Sequence, residues 1–600
     1  MRIDKDRLID EEGRHLILRG VNLPAKVPLK LGSSHREVSF VGRPFPLEEA
    51  EMHFARLESW GFNCLRLCVS WEGMEHKGVG IYDYEYLDYL EALIVKAERF
   101  GFKIFVDFHQ DVWSRFTGGD GAPGWTLEWA GFAIEHLEET GAAVLYRPEN
   151  PKSHVLWATN AYKLAAATLF TLFFGEEVFA PKRERVGGFL QDAYVHMIRE
   201  VVLRLKGHKA VVGYDIMNEP FAGYIGCKDL NRPFGLLQLG ATPTPFEGMV
   251  LGDGNRKEIS VWEERFFVVR NIGTKELNVG KKRCWQRGVP CIWREAGVWD
   301  YNERGEPLLL KPDYFKNYSF EEQFYKPFIN RVGKEIHQIS SQAIVLIEHV
   351  VGDTPPKWGE EDTKNVIFTS HWYDAFLLFT KKFTHFVGYD LFQMKPIIAL
   401  PQWLRKRFAK QVEHVKKFAK EFMGGIPVMN TEFGIPHDLE AKAAYQTGDF
   451  TLHDKALHRS FLAMDDNLIS AILWNYTAHN SNDHGDYWNE EDLSIFSTDQ
   501  TKESLYSGAR GEQAFVRPYP IKTAGTPKAM HFHMKKRRFE YHFEHDPEIA
   551  HPTEIFVPHL HFGKGVTINL SDGHVEQKGQ ILRYHHTNKF TKHSITIIAH

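Results

Sequence analysis

The stretch PVMNTEFG, residues 427–434, has the pattern of a buried β-strand that ends at a carboxylate, Glu432. A second stretch, VVGYDIMNEP at residues 211–220, ends in the same way at Glu219. Six more strand-like runs begin at residues 16, 63, 103, 343, 366 and 470: LILRGVN, NCLRLCVSW, KIFVDFHQD, AIVLIEH, VIFTSHWYD and SAILWNYT. Most of these runs are continuously apolar, which is typical of strands buried on both faces of a parallel sheet. Amphipathic helical patterns lie between several of them, so the sequence predicts an α/β fold, a (β/α)₈ barrel.

The chain of 600 residues is much longer than the roughly 250 residues of a barrel of this kind. We expect the excess as long insertions at 112–210, 221–342 and 375–426, each of which follows the carboxyl end of a strand. After residue 506 the sequence pattern changes to short strand-like segments separated by turn residues, such as GVTINLSDG and GQILRYHH. The pattern predicts a catalytic barrel at 1–506 and a C-terminal antiparallel β-sandwich at 507–600.

Bulk composition excludes several function classes. A formal charge of −5 provides no electrostatic attraction to nucleic acid, and no protein partner is implied. The five cysteines have no paired zinc spacing, and an odd number in so long a chain is no disulfide framework. The N-terminus lacks the apolar run of a secretion signal, so a reduced, cytoplasmic setting is predicted.

Polar side chains stand where the predicted barrel strands end, and this set is the candidate site. Polar groups so close to buried strands are costly unless they pair with one another or with a ligand. Their strands should bring them to a single rim. They are Arg66, His109, Asp111, Asn218, Glu219, His371, Tyr373, Glu432 and Trp474.

Two carboxylates at one rim predict glycoside hydrolysis with retention of configuration. Glu432 would be the nucleophile, kept ionised by Arg66 and hydrogen bonded by Tyr373. Glu219 would be the acid and then the base, with a pKa raised by burial and by the charge of Glu432.

The remaining residues have predicted contacts with sugar. Asn218 would donate to the 2-hydroxyl, and His109 and Asp111 would bind outer hydroxyls. His371 would orient Glu219 or Tyr373, and Trp474 would offer a flat apolar face to a pyranose ring.

The motifs NEP at Glu219, HxY at His371 and TEFG at Glu432, with Trp474 on the eighth strand, resemble those of glycoside hydrolase family 5. DFHQD at 107–111 and the C-terminal sandwich resemble its endoglycoceramidase-like branch. The stretches at 473–497 and 516–527 are similar to intracellular glucosylceramidases and steryl-β-glucosidases. By this resemblance Lys26, after the first strand, would also reach a sugar hydroxyl.

The sequence therefore favours a β-glucosidase that acts on glycolipids, either glucosylceramide or a steryl glucoside, without metal or cofactor. The runner-up is an endoglycoceramidase that releases a whole oligosaccharide. From other classes, a non-catalytic glycolipid-binding protein and a metal-dependent hydrolase remain as alternatives. If a chelator left the activity unchanged, the metal-dependent hydrolase would be excluded.

Two further features are open to more than one interpretation. A Phe-rich stretch at 375–392 lies beside Lys and Arg residues concentrated between 381 and 420, and we hypothesise that this face contacts membrane peripherally. Histidine-containing stretches beginning at His531 and Tyr541 are interpreted as sandwich surface, with metal binding as the minority alternative.

Overall fold

Eight parallel strands close into a barrel in chain order, each paired with its neighbours and β8 with β1. The computed structural model describes residues 1–24, 26, 34–38, 44–145, 157–181, 188–235, 238–265, 268–349 and 354–600. The predicted (β/α)₈ fold is confirmed, with a strand in every one of the eight predicted runs. The strands are β1 Arg19–Leu23, β2 Cys64–Ser70, β3 Lys103–His109, β4 Val211–Asp215, β5 Ile344–His349, β6 Val366–His371, β7 Val428–Phe433 and β8 Ser470–Leu473.

Helices surround the barrel and fill the insertions. Among the described residues, the α-helices of six or more residues are α1 Ala50–Ser59, α2 Tyr84–Glu98, α3 Gly124–Ala130, α4 Leu164–Phe179, α5 Phe189–Leu205, α6 Pro245–Gly252, α7 Lys326–Ile339, α8 Ala375–Thr380, α9 Pro401–Phe422, α10 Leu439–Thr447 and α11 Thr451–Asn467. Helix α4 is apolar on nearly all sides and is buried against its neighbours. Within the described part of the chain, no helix has the length and apolar character needed to cross a bilayer.

The insertions carry both outer helices of the barrel and extra hairpins. After β3 come α3, α4 and α5, although residues 146–156 and 182–187 of this predicted insertion lie outside the described residues. After β4 come α6, α7 and the antiparallel hairpins Lys257–Arg265 with Val268–Leu277 and Trp299–Tyr301 with Pro307–Leu309. Residues 236–237 and 266–267 of that insertion also lie outside the described residues. After β6 come α8, the hairpin Val387–Asp390 with Lys395–Ile398, and α9.

The C-terminal strands form two antiparallel sheets that enclose a second apolar core. They are β9 Tyr519–Thr523, β10 Gly525–His533, β11 Arg538–His545, β12 Thr553–Phe556, β13 Val566–Leu570, β14 His574–Lys578, β15 Ile581–His585 and β16 Lys592–Ala599. One sheet has the order β10-β11-β16-β13. The other contains β9-β12-β15-β14 and continues, beyond β9, into three short N-terminal strands.

Those N-terminal strands require a correction to the predicted division. The predicted barrel domain includes residues 2–16, but Arg2–Asp4, Arg7–Ile9 and His15–Leu16 extend the C-terminal sheet, with Leu16 opposite Lys522. The physical reason is that β9 would otherwise be an open sheet edge, and a short hairpin from the chain start pairs with it. The boundary at 506/507 itself stays a prediction.

Candidate active site

Glu219 and Glu432 meet at the rim formed by the carboxyl ends of the strands. Glu432 is the fifth residue of β7, and Glu219 lies just beyond β4 in a left-handed backbone conformation with φ 37°. A non-glycine residue in that region is strained, and such strain clusters at functional sites. One carboxylate oxygen of each residue and a ring nitrogen of His371 all lie within 4.8 Å of one another.

Glu432 is buried, accepts two hydrogen bonds and lies close to His371. Its carboxylate accepts from Nη1 of Arg66 at 3.2 Å and from the hydroxyl of Tyr373 at 3.0 Å. Nδ1 of His371 lies 3.5 Å from its second oxygen. Burial raises the pKa of Glu432, and the positive charges of His371 and Arg66 oppose that rise. His371 and Arg66 thus favour the ionised form, although the net shift of the pKa is upward. The contacts of Arg66 and Tyr373 with this carboxylate are both present.

Glu219 is the more accessible acid, with a side chain 31% exposed against 8% for Glu432. Its carboxylate lies 2.8 Å from Nδ1 of His371, as expected for the orienting role predicted for this histidine. Its backbone N–H donates to Glu348 at 2.9 Å, and its carbonyl accepts from Gln110 at 2.8 Å. Both main-chain groups are thus anchored, which fixes the strained turn.

Arg66 is the centre of a buried charge cluster that is larger than the sequence indicated. Its guanidinium lies within 3.2 Å of four carboxylates, those of Asp107, Asp215, Glu348 and Glu432. It also donates to Asn22 at 3.1 Å. Burial and the charge of Glu348 raise the pKa of Asp215, so this acid takes up a proton more readily than an ordinary aspartate does. Sequence reasoning missed Asn22, Asp215 and Glu348, although each is a polar residue inside a predicted strand, the one signal that marked the other site residues.

Asn218 is also tied to this cluster. Its side-chain oxygen accepts from Arg66 at 2.9 Å, and its amide nitrogen donates to the carbonyl of Gln110 at 2.9 Å. The amide carries two N–H groups.

Lys26, His109, Asp111 and Trp474 form a second polar group beside the acids. Nζ of Lys26 is hydrogen bonded to Asp111, and Nε2 of His109 lies 3.2 Å from the same carboxylate. The His109 ring stacks on Trp474 with centroids 5.2 Å apart. Lys26 also lies over the rings of Trp474 and Trp488, at 4.7 and 3.4 Å. The structure therefore brings together every residue predicted for the site.

A loop at residues 480–494 covers this group from one side. Asn480 donates to both Asp486 and Asp492, and Arg510 donates to Asp492 at 2.6 Å. At its tip, the indole N–H of Trp488 donates to the carbonyl of Gly119 at 3.4 Å, and Asn489 donates to the carbonyl of Gly118 at 3.1 Å. This loop lies within the stretch 473–497 that carries the sequence resemblance, but the sequence did not indicate Trp488 as a neighbour of Lys26.

The group Glu219, His371 and Glu432 has ligand atoms at metal-like spacing, but the state of its histidine disfavours a metal. Both ring nitrogens of His371 face carboxylates, Glu219 at 2.8 Å and Glu348 at 2.9 Å. Burial lowers the pKa of His371, but the negative charges of Glu348 and Glu432 outweigh that effect and raise the pKa well above its ordinary value. An imidazolium has no lone pair to offer to a metal ion.

Comparison with known proteins agrees with this geometry. Residues 25–234 match the family model for cellulase (glycosyl hydrolase family 5), and residues 517–597 match the glycoside hydrolase family 5 C-terminal domain. A glucosylceramidase of Rhizopus delemar is 37% identical over 94% of this chain and 90% of its own length. The chain belongs to glycoside hydrolase family 5. It is therefore a glycosidase.

Two further relatives of this family 5 glycosidase cover almost the entire chain. An ergosteryl-beta-glucosidase of Saccharomyces cerevisiae is 29% identical over 96% of this chain and 94% of its own. The crystal structure of Cryptococcus neoformans sterylglucosidase 1 with hit 1 superposes with a TM-score of 0.93 at 30% identity, covering 100% of this chain and 97% of that one.

Proposed function

We propose that the protein is a retaining β-glucosidase that removes glucose from a lipid, either ceramide or a sterol. In the first step, Glu432 attacks the anomeric carbon while Glu219 gives its proton to the departing lipid oxygen. In the second step, Glu219 takes a proton from water, which displaces Glu432 and releases glucose. Glu219 is then protonated again, and Glu432 is again a free carboxylate.

The separation of the two carboxylates carries this proposal. Their nearest oxygens lie within 4.8 Å, whereas an inverting enzyme needs carboxyl groups about 6.5–9.5 Å apart to admit a water molecule. Retaining enzymes have them about 5–5.5 Å apart. The spacing therefore supports a covalent glucosyl intermediate on Glu432.

The hydrogen bonds assign supporting roles to the neighbours. Arg66 and Tyr373 stabilise the charge on Glu432 before attack and as it returns in the second step. Asn218 has a second N–H for the sugar 2-hydroxyl, a contact that strengthens in the transition state. Lys26, His109 and Asp111 bind the outer hydroxyls, with Trp474 as the apolar face.

The loop at 480–494 supports removal of a single sugar. Its tip contacts the segment at Gly118 and Gly119 and places Trp488 against Lys26. Sugar units beyond the first would have to extend through the contact between this loop and the segment at Gly118 and Gly119. An endo-acting enzyme needs an open groove there, so the contact favours exo cleavage over the endoglycoceramidase alternative.

The lipid part of the substrate rests on two observations. Relatives that match nearly the whole chain include a glucosylceramidase at 37% identity and an ergosteryl-beta-glucosidase at 29%, whereas an endoglycoceramidase I that matches 96% of the chain is 21% identical. In addition, the insertion after β6, which starts two residues after Tyr373, exposes large apolar side chains, including Trp403 at 54% and Ile398 at 83%. Phe379, Phe386, Met394 and Leu400 belong to the same exposed set.

This exposed set, called the apolar face here, supports the hypothesis of peripheral membrane contact. Lys382, Lys395 and Lys406 are exposed among its residues, and such cations are attracted to anionic headgroups. Arg405 is engaged with Asp466 at 2.8 Å. The exposed lysines are therefore better targets for charge reversal than Arg405.

A substrate panel with trapped intermediates tests the proposed function. We expect glucose as the first sugar released from glucosylceramide or cholesteryl glucoside, and no intact disaccharide from a lactosylated lipid. With an activated aryl glucoside, Glu219→Ala should accumulate protein carrying one glucosyl unit on Glu432, detected by peptide mass spectrometry. Disaccharide release would favour the endo alternative, and inactivity of the wild type on every glycoside would favour a binding protein.

The membrane hypothesis has a separate test. Lys382→Glu, Lys395→Glu and Lys406→Glu combined should reduce binding to anionic liposomes and hydrolysis of bilayer substrate, with activity on a soluble aryl glucoside unchanged. Charge reversal of three exposed lysines outside the insertion after β6, Lys77, Lys209 and Lys578, is the control. Equal liposome binding by both triple variants and the wild type would contradict the hypothesis.

A further inference from the structure

Three histidines converge between the two sheets of the C-terminal sandwich. His545 ends β11, His593 is the second residue of β16, and His586 follows β15. One ring nitrogen of each lies within 4.8 Å of the other two. Nδ1 of His545 and Nε2 of His593 are only 2.8 Å apart. Strands β11 and β16 belong to one sheet and β15 to the other, so the three rings join both layers of the sandwich.

The orientation of His593 is set by a carboxylate. Nδ1 of His593 lies 2.7 Å from Asp572, an arrangement in which this nitrogen donates and Nε2 keeps its lone pair toward the other two rings. Asp572 is itself held by the backbone N–H of Thr587 at 2.8 Å and the hydroxyl of Tyr584 at 3.0 Å. A carboxylate behind a histidine is the usual support of a metal-bound imidazole.

His586 provides an independent observation. Its Nδ1 is buried, and within the described part of the chain it has no hydrogen-bond partner. Burying a polar atom without a partner costs free energy, which a bound cation at that atom would recover. The ring is packed against the other two, with centroids 4.7 Å from His545 and 4.6 Å from His593. Phe543 forms an apolar wall at 5.2 Å from the His593 ring.

We propose that His545, His586 and His593 bind one divalent transition-metal ion, of which Zn²⁺ is the best fit, with solvent as the fourth ligand. Three neutral imidazoles suit zinc, and ligand nitrogens in a tetrahedral zinc site lie about 3.3 Å apart, a separation between the 2.8 Å of the His545–His593 pair and the 4.8 Å limit of the set. On binding, His545 moves its shared proton from Nδ1 to Nε2, so the ion replaces one hydrogen bond and no proton is lost. The ion ties the two sheets together, remote in function from the carboxylates of the barrel.

The full-length chain, stripped with chelator and dialysed, tests the site. We expect one Zn²⁺ per chain by elemental analysis and calorimetry, no uptake of Mg²⁺, and a higher Tm with Zn²⁺ than without. Co²⁺ should give the visible absorption of a tetrahedral site. Hydrolysis of an aryl glucoside should be the same with and without chelator, which separates this site from the catalytic one.

Variants locate the ion. His586→Asn and His545→Asn should each weaken Zn²⁺ affinity about tenfold or more and abolish the rise in Tm. His574→Asn is the matched control, because His574, Glu576 and His585 form an exposed cluster of similar spacing on the neighbouring hairpin. Stripped wild-type protein that takes up no Zn²⁺ overturns the proposal. So does uptake that is lost in His574→Asn and kept in both other variants.

Discussion

The rim of the barrel and the core of the sandwich bury opposite kinds of side chain, charged in the first and apolar in the second. Around Arg66 the barrel buries four carboxylates within 3.2 Å of one cation. The sandwich core is instead apolar, with Phe532, Tyr541, Ile595 and Leu582 packed together. Buried charges contribute little net stability but are costly to unpair, whereas apolar packing stabilises in proportion to the area buried. The polar rim is therefore a small functional exception within a barrel that has a large apolar core of its own, whereas the sandwich core is apolar throughout.

The largest expected effect comes from removing the proposed nucleophile. Glu432→Gln should lower kcat on an aryl glucoside by about 10⁴-fold or more, because a neutral amide cannot replace the attacking carboxylate. Its Tm should stay near that of the wild type, since Arg66 keeps three other acids. Steady-state kinetics and a thermal melt measure both, and a variant with wild-type turnover would refute the assignment.

Unpairing the buried cluster should damage stability rather than chemistry alone. Arg66→Met leaves the acids uncompensated, and we expect the free energy of unfolding to fall by about 3–5 kcal/mol. Ile595→Val in the sandwich is the control, with an expected loss of about 0.5–1.5 kcal/mol and unchanged kcat. Urea denaturation gives both values. Similar losses for the two variants would remove the contrast between the regions.

Loss of one hydrogen bond should have an intermediate effect. Tyr373→Phe removes the donor to Glu432, and a bond to a charged group contributes about 1.5–3 kcal/mol, so kcat/KM should fall about 10–100-fold. The matched sandwich change is Tyr541→Phe, whose hydroxyl pairs with Thr523 at 2.6 Å. It should leave kcat/KM unaltered. An equal kinetic loss in both variants would point to a general packing effect.

The smallest effect is a pair of opposite pH dependences. His371 has a raised pKa, so its contribution to stability is present below pH 6.5, the unfolded value, and is lost as pH rises toward the folded value. Burial lowers the pKa of His561 in the sandwich to about 4, so its contribution is present above pH 6.5 and is lost as pH falls toward 4.

Substitution of each histidine should therefore remove a slope on a different side of neutrality. Between pH 4 and 6.5, His561→Gln should reduce the slope of the free energy of unfolding against pH. Above pH 6.5, His371→Gln should reduce that slope. Each change should be up to about 1.4 kcal/mol per pH unit. Urea midpoints over a pH series measure the slopes. If both variants changed the slope in the same pH range, the assigned directions of the two pKa shifts would be wrong.

Much of the fold and site could be predicted because the signals are local. Each barrel strand is a short apolar run, and parallel strands end at one rim, so Glu219 and Glu432 were expected to meet although far apart in the chain. Asp215 and Glu348 were missed, although they too are acids within apolar runs. The backbone position of each was visible, but which side chains turn toward Arg66 depends on strand register and barrel closure.

By itself, the sequence determined the barrel, the antiparallel character of the C-terminal strands, and the residue types at the rim, because hydrophobic periodicity and chain direction are encoded locally. Tertiary structure alone decided the pairing of residues 2–16 with the last sheet, the four acids around Arg66, Trp488 over Lys26, and the meeting of His545, His586 and His593. These contacts join segments far apart in the chain. Their partners are selected by packing and by the pairing of buried charges, which no local pattern records.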